Sequence, residues 1–234
     1  MSTDYRLLSV VPSITELLFD LGLQDHLVGR TKFCVHPQPE VRTLPIIGGT
    51  KNLKIEKITK LKPNLIITNI EENTKGDIET LSKHSEIWLT NIKTLQDNFD
   101  LISKAGQIFD RDRQANEIIE KSKITISTLS RPIKKRALYL IWREPYMTIG
   151  ADTYIHDMMA VLGYDNIFSH STRYPVVDLQ NIDPRSLDVI LLSSEPYPFK
   201  DKHIHEIQKL FPHIEVNLVN GELFSWYGSR LTHL

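Results

Sequence analysis

The sequence predicts an α/β fold: two Rossmann-like lobes with parallel sheets, joined by a long backbone α-helix, with a ligand cleft between the lobes. Three observations carry that expectation. Short β-branched and leucine-rich runs alternate with amphipathic stretches in the first 93 residues and again after residue 131, the pattern of a parallel sheet covered by helices. Between them, residues 94–130 contain one glycine and no proline, with apolar residues at helical spacing. Finally, the two flanking segments match each other.

Taken in order, "RLLSVV" (residues 6–11) reads as the first strand. "PSITELLFDLG" follows as a helix, with Ser13 at the N-cap and Glu16 three residues on, a capping-box pattern. "KNLKIEKITKLKP" and "NLIITN", then "DIETLSKHS" and "EIWLT", continue the alternation of helix and buried strand. Gly48, Gly49, Thr50 and Lys51 lack the spacing of a phosphate-binding loop and read as a turn entering a helix near Lys54. Leu95, Phe99, Ile102, Ala115, Ile118 and Ile119 mark one helix and then a longer one, which Arg131-Pro132 ends. "KKRALYLIW", "DVILLS" and "IEVNLV" supply the strands of a second series. The expected division is an N-terminal lobe (1–93), connecting helices including the backbone helix (94–131) and a C-terminal lobe (132–234).

Residues 57–72 lie over residues 181–196 without a gap: Ile58 meets Ile182, Asn64 meets Asp188, Ile66 meets Ile190 and Glu71 meets Glu195. A second pairing sets Leu21-Gly22 against Leu162-Gly163. Any two helix-proline-strand units share some pattern, but the acidic residue at the same strand exit argues for a structural repeat.

With 28 basic and 29 acidic residues the formal charge is −1, which removes any bias toward nucleic acid or an anionic membrane. The single cysteine, Cys34, excludes an internal disulfide framework and a cysteine-cluster metal site. The apolar run Leu7, Leu8, Val10, Val11 is short and broken by Pro12, so it does not read as a signal-peptide core. No stretch approaches the roughly 20 apolar residues that span a bilayer. The expectation is a cytoplasmic protein without membrane insertion, and a monomer.

In open parallel sheets ligands sit beyond the carboxyl ends of the strands. The loops expected there mix aromatic and polar residues, as binding sites do. Trp142, Tyr146 and Tyr197 could stack on a planar ring system. Glu71 and Glu195 have two readings, solvated strand-end carboxylates or polar contacts to a ligand. Cys34 and His36 form a nominal nucleophile and base, but no orienting acid or oxyanion donor accompanies them. His36 as a ligand to the metal of a bound cofactor is the better-founded reading, since imidazole suits iron and related metals. His203 and His205, in "KDKHIHEIQKLF", read as the surface of an amphipathic helix.

"LLSVVPSITELLFDLGL", "VGRTKFCVHP", "IGGTKNLKIEKITKLKPNLIITNIEEN", the central helix, "GYDNIF" and "DVILLSSEPYPF" together resemble the class III substrate-binding proteins of ABC importers, especially cobalamin-, iron-siderophore- and haem-binding members. The likeness covers nearly the whole chain in order. It implies binding of cobalamin, haem or a ferric siderophore as ligand, with no intrinsic cofactor, no catalysis, and a transporter permease as partner. It also places pocket contacts at His36 before Pro37, at Asn69, Ile70 and Glu71, at Tyr174 before Pro175, and at Ser225, Trp226, Tyr227 and Arg230. Trp226, Tyr227 and Arg230 are thus expected to face the ligand, with Phe224 packed inward. The departures expected from the resemblance are the want of an export signal and of a last helix, and Lys75, with Glu71, Glu72 and Asp77 nearby, where relatives dock through a carboxylate. A cytosolic sensor or carrier on the same scaffold is the alternative, and an enzyme using Cys34 and His36 ranks third.

Overall fold

Residues 6–11 deliver a short strand, β1 (Leu7–Ser9), whose three side chains are all buried. In the computed structural model, which describes residues 5–131 and 134–234, it leads into α1 (Pro12–Asp20) and the strand β2 (Leu27–Gly29). The expected N-cap at Ser13 is not formed: Val11 caps the helix and Pro12 takes the first helical position. Proline suits that place because its missing N–H has no partner there to lose and its φ is already helical. Glu16 is thereby released from capping and lies buried.

The Gly48–Lys51 segment is a hairpin turn between β3 (Gly48–Gly49) and β4 (Asn52–Leu53), followed by α2 (Ile55–Leu61). Then come β5 (Leu65–Asn69), α3 (Lys75–Leu81), β6 (Glu86–Thr90), α4 (Leu95–Phe109) and α5 (Asp112–Leu129). The later series is β7 (Lys135–Leu140), α6 (Tyr154–Val161), β8 (Tyr164–Asn166), β9 (Val189–Ser193), α7 (Asp201–Leu210), β10 (Glu215–Val219) and α8 (Gly221–Ser225).

The two four-stranded sheets have one topology. Their orders are β2-β1-β5-β6 and β8-β7-β9-β10, with every strand pair parallel. The registers also correspond. Leu7 and Leu8 face Leu65 and Ile66 in one sheet, while Ala137 and Leu138 face Val189 and Ile190 in the other. Buried aliphatic residues cover each, around Leu8, Ile58 and Ile66 in the first and around Leu138, Ile190 and Ile207 in the second.

Side chains repeat as well as strands. Arg6 N donates to Asn64 Oδ1 (3.0 Å) and its guanidinium to the Leu61 carbonyl (2.5 Å). Arg136 N donates to Asp188 Oδ2 (2.7 Å) and its guanidinium to the Arg185 carbonyl (2.7 Å). Gly22 and Gly163, the paired glycines of the sequence repeat, both end their helices at positive φ (73° and 84°), a region where a Cβ is disfavoured.

The chain divides into two compact units: Met1–Ile92 with Gln96–Lys123 and Tyr227–Leu234, and Lys93–Leu95 with Ile124–Trp226. This differs from the three-part division read from sequence in two ways. α4 and most of α5 pack with the first unit, and so do the last eight residues, expected in the second. Asn98 explains part of the second difference, because its Oδ1 accepts from Gly228 N (2.6 Å) and its Nδ2 donates to Gly228 O (3.2 Å). Among the described residues, no helix is long and apolar enough to cross a membrane.

Candidate functional site

At the carboxyl end of β5, Asn69 folds back on the chain. Its Oδ1 accepts from Glu71 N (2.8 Å), while Asn73 Oδ1 accepts from Asn69 N (2.8 Å). Asn73 Nδ2 donates to the Thr50 carbonyl (3.1 Å), and Lys51 Nζ donates to the Glu71 carbonyl. These bonds satisfy buried backbone groups that a loop would otherwise leave unpaired. They hold Glu71 half-buried and leave Ile70 exposed at the same edge.

His36 is half-buried, in a segment where Phe33 and Val35 are exposed. Cys34, two residues earlier, is fully buried with Sγ 3.2 Å from both Thr15 Oγ1 and Thr31 Oγ1. Burial pushes its thiol above the ordinary value, so it stays protonated, the opposite of an activated nucleophile. Among the described residues, no group of three or more His, Cys, Asp or Glu side chains is arranged to hold a metal ion.

The second unit repeats the device. At the end of β9, Ser193 Oγ accepts from Glu195 N (3.3 Å) and is itself fixed by Tyr139 O–H (3.0 Å). Ser193 occupies the position of Asn69, and Glu195 that of Glu71. The Glu195 carboxylate is committed to the end of the chain: its Oε1 accepts from Ser225 Oγ (2.6 Å) and Trp226 Nε1 (2.9 Å). Glu195 thus orients Trp226. A Cβ at Gly221 would stand 2.5 Å from Glu195 Cγ, so only glycine lets α8 approach.

Backbone bridges lace Trp142 to Met147 and Met147 to Val176. They present Trp142, 41% exposed, edge-on to Tyr197, with ring centroids 5.8 Å apart and planes at 70°. Tyr146 is half-buried nearby, its hydroxyl 3.4 Å from Glu206 Oε1, which also takes Arg143 Nη2 (2.6 Å). Burial is the main cause raising the Tyr146 hydroxyl. Tyr174, also half-buried, precedes Pro175, whose carbonyl accepts from Thr148 N (3.0 Å).

The structure sets Trp142 against Tyr197 with Tyr146 nearby, and brings Glu195 into hydrogen-bond contact with Trp226. Three expectations need correction. Trp226, Tyr227 and Arg230 were expected to be presented to a ligand, but all three are buried, as is Phe224. Arg230 donates through Nη2 to Glu16 Oε1 inside the first unit. A buried guanidinium needs an anionic partner, and Glu16 was left available when Val11 took the cap. Second, His203 is not a surface residue: it is 2% exposed and packed by Tyr197 and Phe199, whereas His205 is exposed as expected. Third, Glu195 faces the terminal segment. The signal for Asn69 and Ser193 was present in the sequence, as polar residues two positions before the paired glutamates.

A hollow of about 990 Å³ in the first unit lies at the opposite, amino edge of its sheet, lined by Lys62, Asn64, His84 and Glu86 among others. Parallel sheets bind at the carboxyl edge, where the aromatic and acidic residues are gathered, so that hollow is not the candidate site.

Two α/β units of one topology, each carrying polar loops beyond its strands, are the architecture of a class of ligand-binding proteins. The chain belongs to the periplasmic binding protein family, whose model it matches over residues 8–210. It is 23% identical over 194 residues to the vitamin B12-binding protein of Vibrio parahaemolyticus, covering 80% of this chain and 70% of that protein. Among solved structures it resembles the periplasmic haem-binding protein HutB of Vibrio cholerae, with a TM-score of 0.81, 19% identity, and 99% and 96% of the two chains covered. It also resembles the periplasmic vitamin B12-binding protein BtuF of Vibrio cholerae, with a TM-score of 0.78, 21% identity, and coverage of 97% and 92%. The two Vibrio cholerae proteins are described as periplasmic, and the cytoplasmic placement expected from sequence finds no support.

Proposed function

We propose that this protein binds a large metal-bearing ring ligand, a corrinoid or haem, without turnover, as the monomeric substrate-binding component of an ABC importer. The observation that carries the reading is the exposed Trp142 ring braced edge-on by Tyr197 at the carboxyl edge of the second sheet. A ligand ring stacked on an exposed aromatic side chain gains about 0.5 to 1.5 kcal/mol beyond simple burial. Tyr146 and Tyr174 extend this aromatic wall, and Glu71 is a further candidate polar contact. His36 is the candidate for coordinating the metal of the ligand. Glu195 and Arg230 act through the segment they hold, Glu195 by orienting Trp226 and Arg230 by anchoring the segment that carries Tyr227. The printed descriptions of the relatives, vitamin B12-binding and haem-binding, support the ligand class.

Titration of the purified protein with hemin, cyanocobalamin and a ferric siderophore, followed by absorption and calorimetry, tests this. Saturable binding of hemin or cyanocobalamin is the expected result. Binding of the siderophore alone moves the ligand to the iron chelates, and silence with all three overturns the reading.

A further inference from the structure

His203 lies at the third position of α7, 2% exposed, directly beneath the aromatic pair described above. Its Nδ1 accepts a hydrogen bond from Lys200 N (2.8 Å), the backbone group just ahead of the helix. A ring nitrogen that accepts from an amide carries no proton, so the neutral ring holds its hydrogen on Nε2, which lies 3.3 Å from Tyr197 Oη. The same ring packs against Tyr197 and Phe199 at 5.5 and 5.4 Å, and Tyr197 packs against Phe199 at 4.8 Å and Trp142 at 5.8 Å. One imidazole therefore caps the helix on one side and fixes the hydroxyl of Tyr197 on the other.

We propose that His203 is the positioning residue of the Trp142–Tyr197 wall, and that gaining a proton releases the wall and with it the ligand. Protonation at Nδ1 turns an acceptor into a donor facing the Lys200 N–H, and the two donors repel. The bond is lost, the start of α7 loosens, and Tyr197 is no longer held. The charges around the ring set the threshold. Burial disfavours the imidazolium most, Lys202 on the same helix and Arg143 from the loop after β7 oppose it further, and Glu206 favours it less strongly. Arg143 is itself engaged by Glu144 and Glu206, and Lys200 and Asp201 flank the helix start. The folded ring consequently titrates below its ordinary 6.5, so the neutral form and the intact wall prevail near neutrality and the wall is released only on acidification below that value.

The ligand consequence rests on the proposed function, but the positioning of the wall does not, and the experiment separates them. In a Trp88→Phe/Trp226→Phe protein, Trp142 is the sole tryptophan, and its emission is followed without ligand from about pH 7.5 to about pH 4.5, the range where histidine titrates. The expected result is one transition with a midpoint below 6.5, absent in the same protein carrying His203→Gln. Glutamine at this helix position can accept from the Lys200 N–H but does not titrate. A flat titration, or a transition that survives His203→Gln, overturns the proposal whatever the protein binds. With hemin as probe, affinity is expected to fall on the order of a few-fold through the same midpoint in the natural sequence and to stay level in His203→Gln. If emission titrates as described but hemin affinity ignores both pH and Trp142→Ala, the positioning role stands, and the link to ligand release is overturned together with this part of the binding reading.

Discussion

Arg230, four residues from the end of the sequence, is ion-paired with Glu16 in the first helix, both side chains buried. Burial raises Glu16 above its ordinary 4.5 even though Arg230 and His233 draw it down. A carboxyl raised in the folded state stabilises most when protonated. Its contribution is complete below 4.5 and declines as pH rises through the folded value, so at neutral pH the Glu16 carboxylate depends on Arg230.

Removing the cation alone is therefore expected to be severe. Arg230→Ala should lose about 3 to 5 kcal/mol in urea unfolding at neutral pH, the usual cost of stranding one buried partner. The Glu16→Leu/Arg230→Met double variant should recover most of that loss, because no charge is left uncompensated. Equal losses in the single and double variants would show that shape, not charge, holds the segment.

Acid should affect the two repeats differently. Arg136 grips Asp188 through Nη2 to Oδ1 (2.7 Å) and Nε to Oδ2 (3.0 Å), and holds its carboxyl down to about 2. A depressed carboxyl stabilises above its ordinary 3.8, and that contribution is lost as pH falls through about 2. The matching residue in the first unit, Asn64, makes the same bond to backbone without a charge. Asp188→Asn should therefore flatten the fall in urea midpoint between about pH 4 and about pH 2 by lowering the neutral-pH value toward the level the natural protein reaches in acid, a small change since the site is exposed. An unaltered acid limb would show that the pair contributes nothing.

Much of this architecture was legible in the sequence for a physical reason. Strand pairing in parallel sheets follows apolar runs and the polar residues that end them, and both are local. The match of Asn64 with Asp188 and of Glu71 with Glu195 therefore transferred directly into paired registers and paired hydrogen bonds. What local pattern missed were partners far apart in the chain. Glu16 meets Arg230 across 214 positions, and an acidic residue three beyond a serine looks like a cap until its true partner is in place. His203 misled in the same way. Its place in a charged helical run suggested a surface, and only the folding of the Pro-flanked Tyr197–Phe199 segment over α7 buries it.

Glu195 offers a test of support against contact. Glu195→Gln keeps an oxygen able to accept from Ser225 Oγ and Trp226 Nε1, and should stay within about 1 kcal/mol of the natural protein. Glu195→Leu strands both donors and should cost about 1 to 3 kcal/mol, with a change in tryptophan emission as Trp226 is released. Gly221→Ala, which drives a methyl against Glu195 and Ser193, should mimic it at about 1 to 3 kcal/mol. If Glu195→Leu instead leaves stability intact while abolishing hemin binding, the carboxylate contacts the ligand directly.

Trp142 separates a ligand wall from a packing residue. It is exposed by 41%, and its ring stands at 70° to that of Tyr197 with centroids 5.8 Å apart. Trp142→Ala should change stability little, within about 1 kcal/mol, because a half-exposed ring buries little apolar area to lose. The same variant should weaken hemin or cyanocobalamin on the order of tenfold, since about 1 kcal/mol of stacking and the ring's contact area disappear together. Trp142→Phe, which keeps an aromatic face, should recover a large part of that affinity. Calorimetric titration of all three proteins against one ligand, with urea midpoints measured on the same preparations, decides the matter: a loss of stability that matches the loss of affinity would assign Trp142 to packing, whereas affinity falling alone assigns it to the ligand.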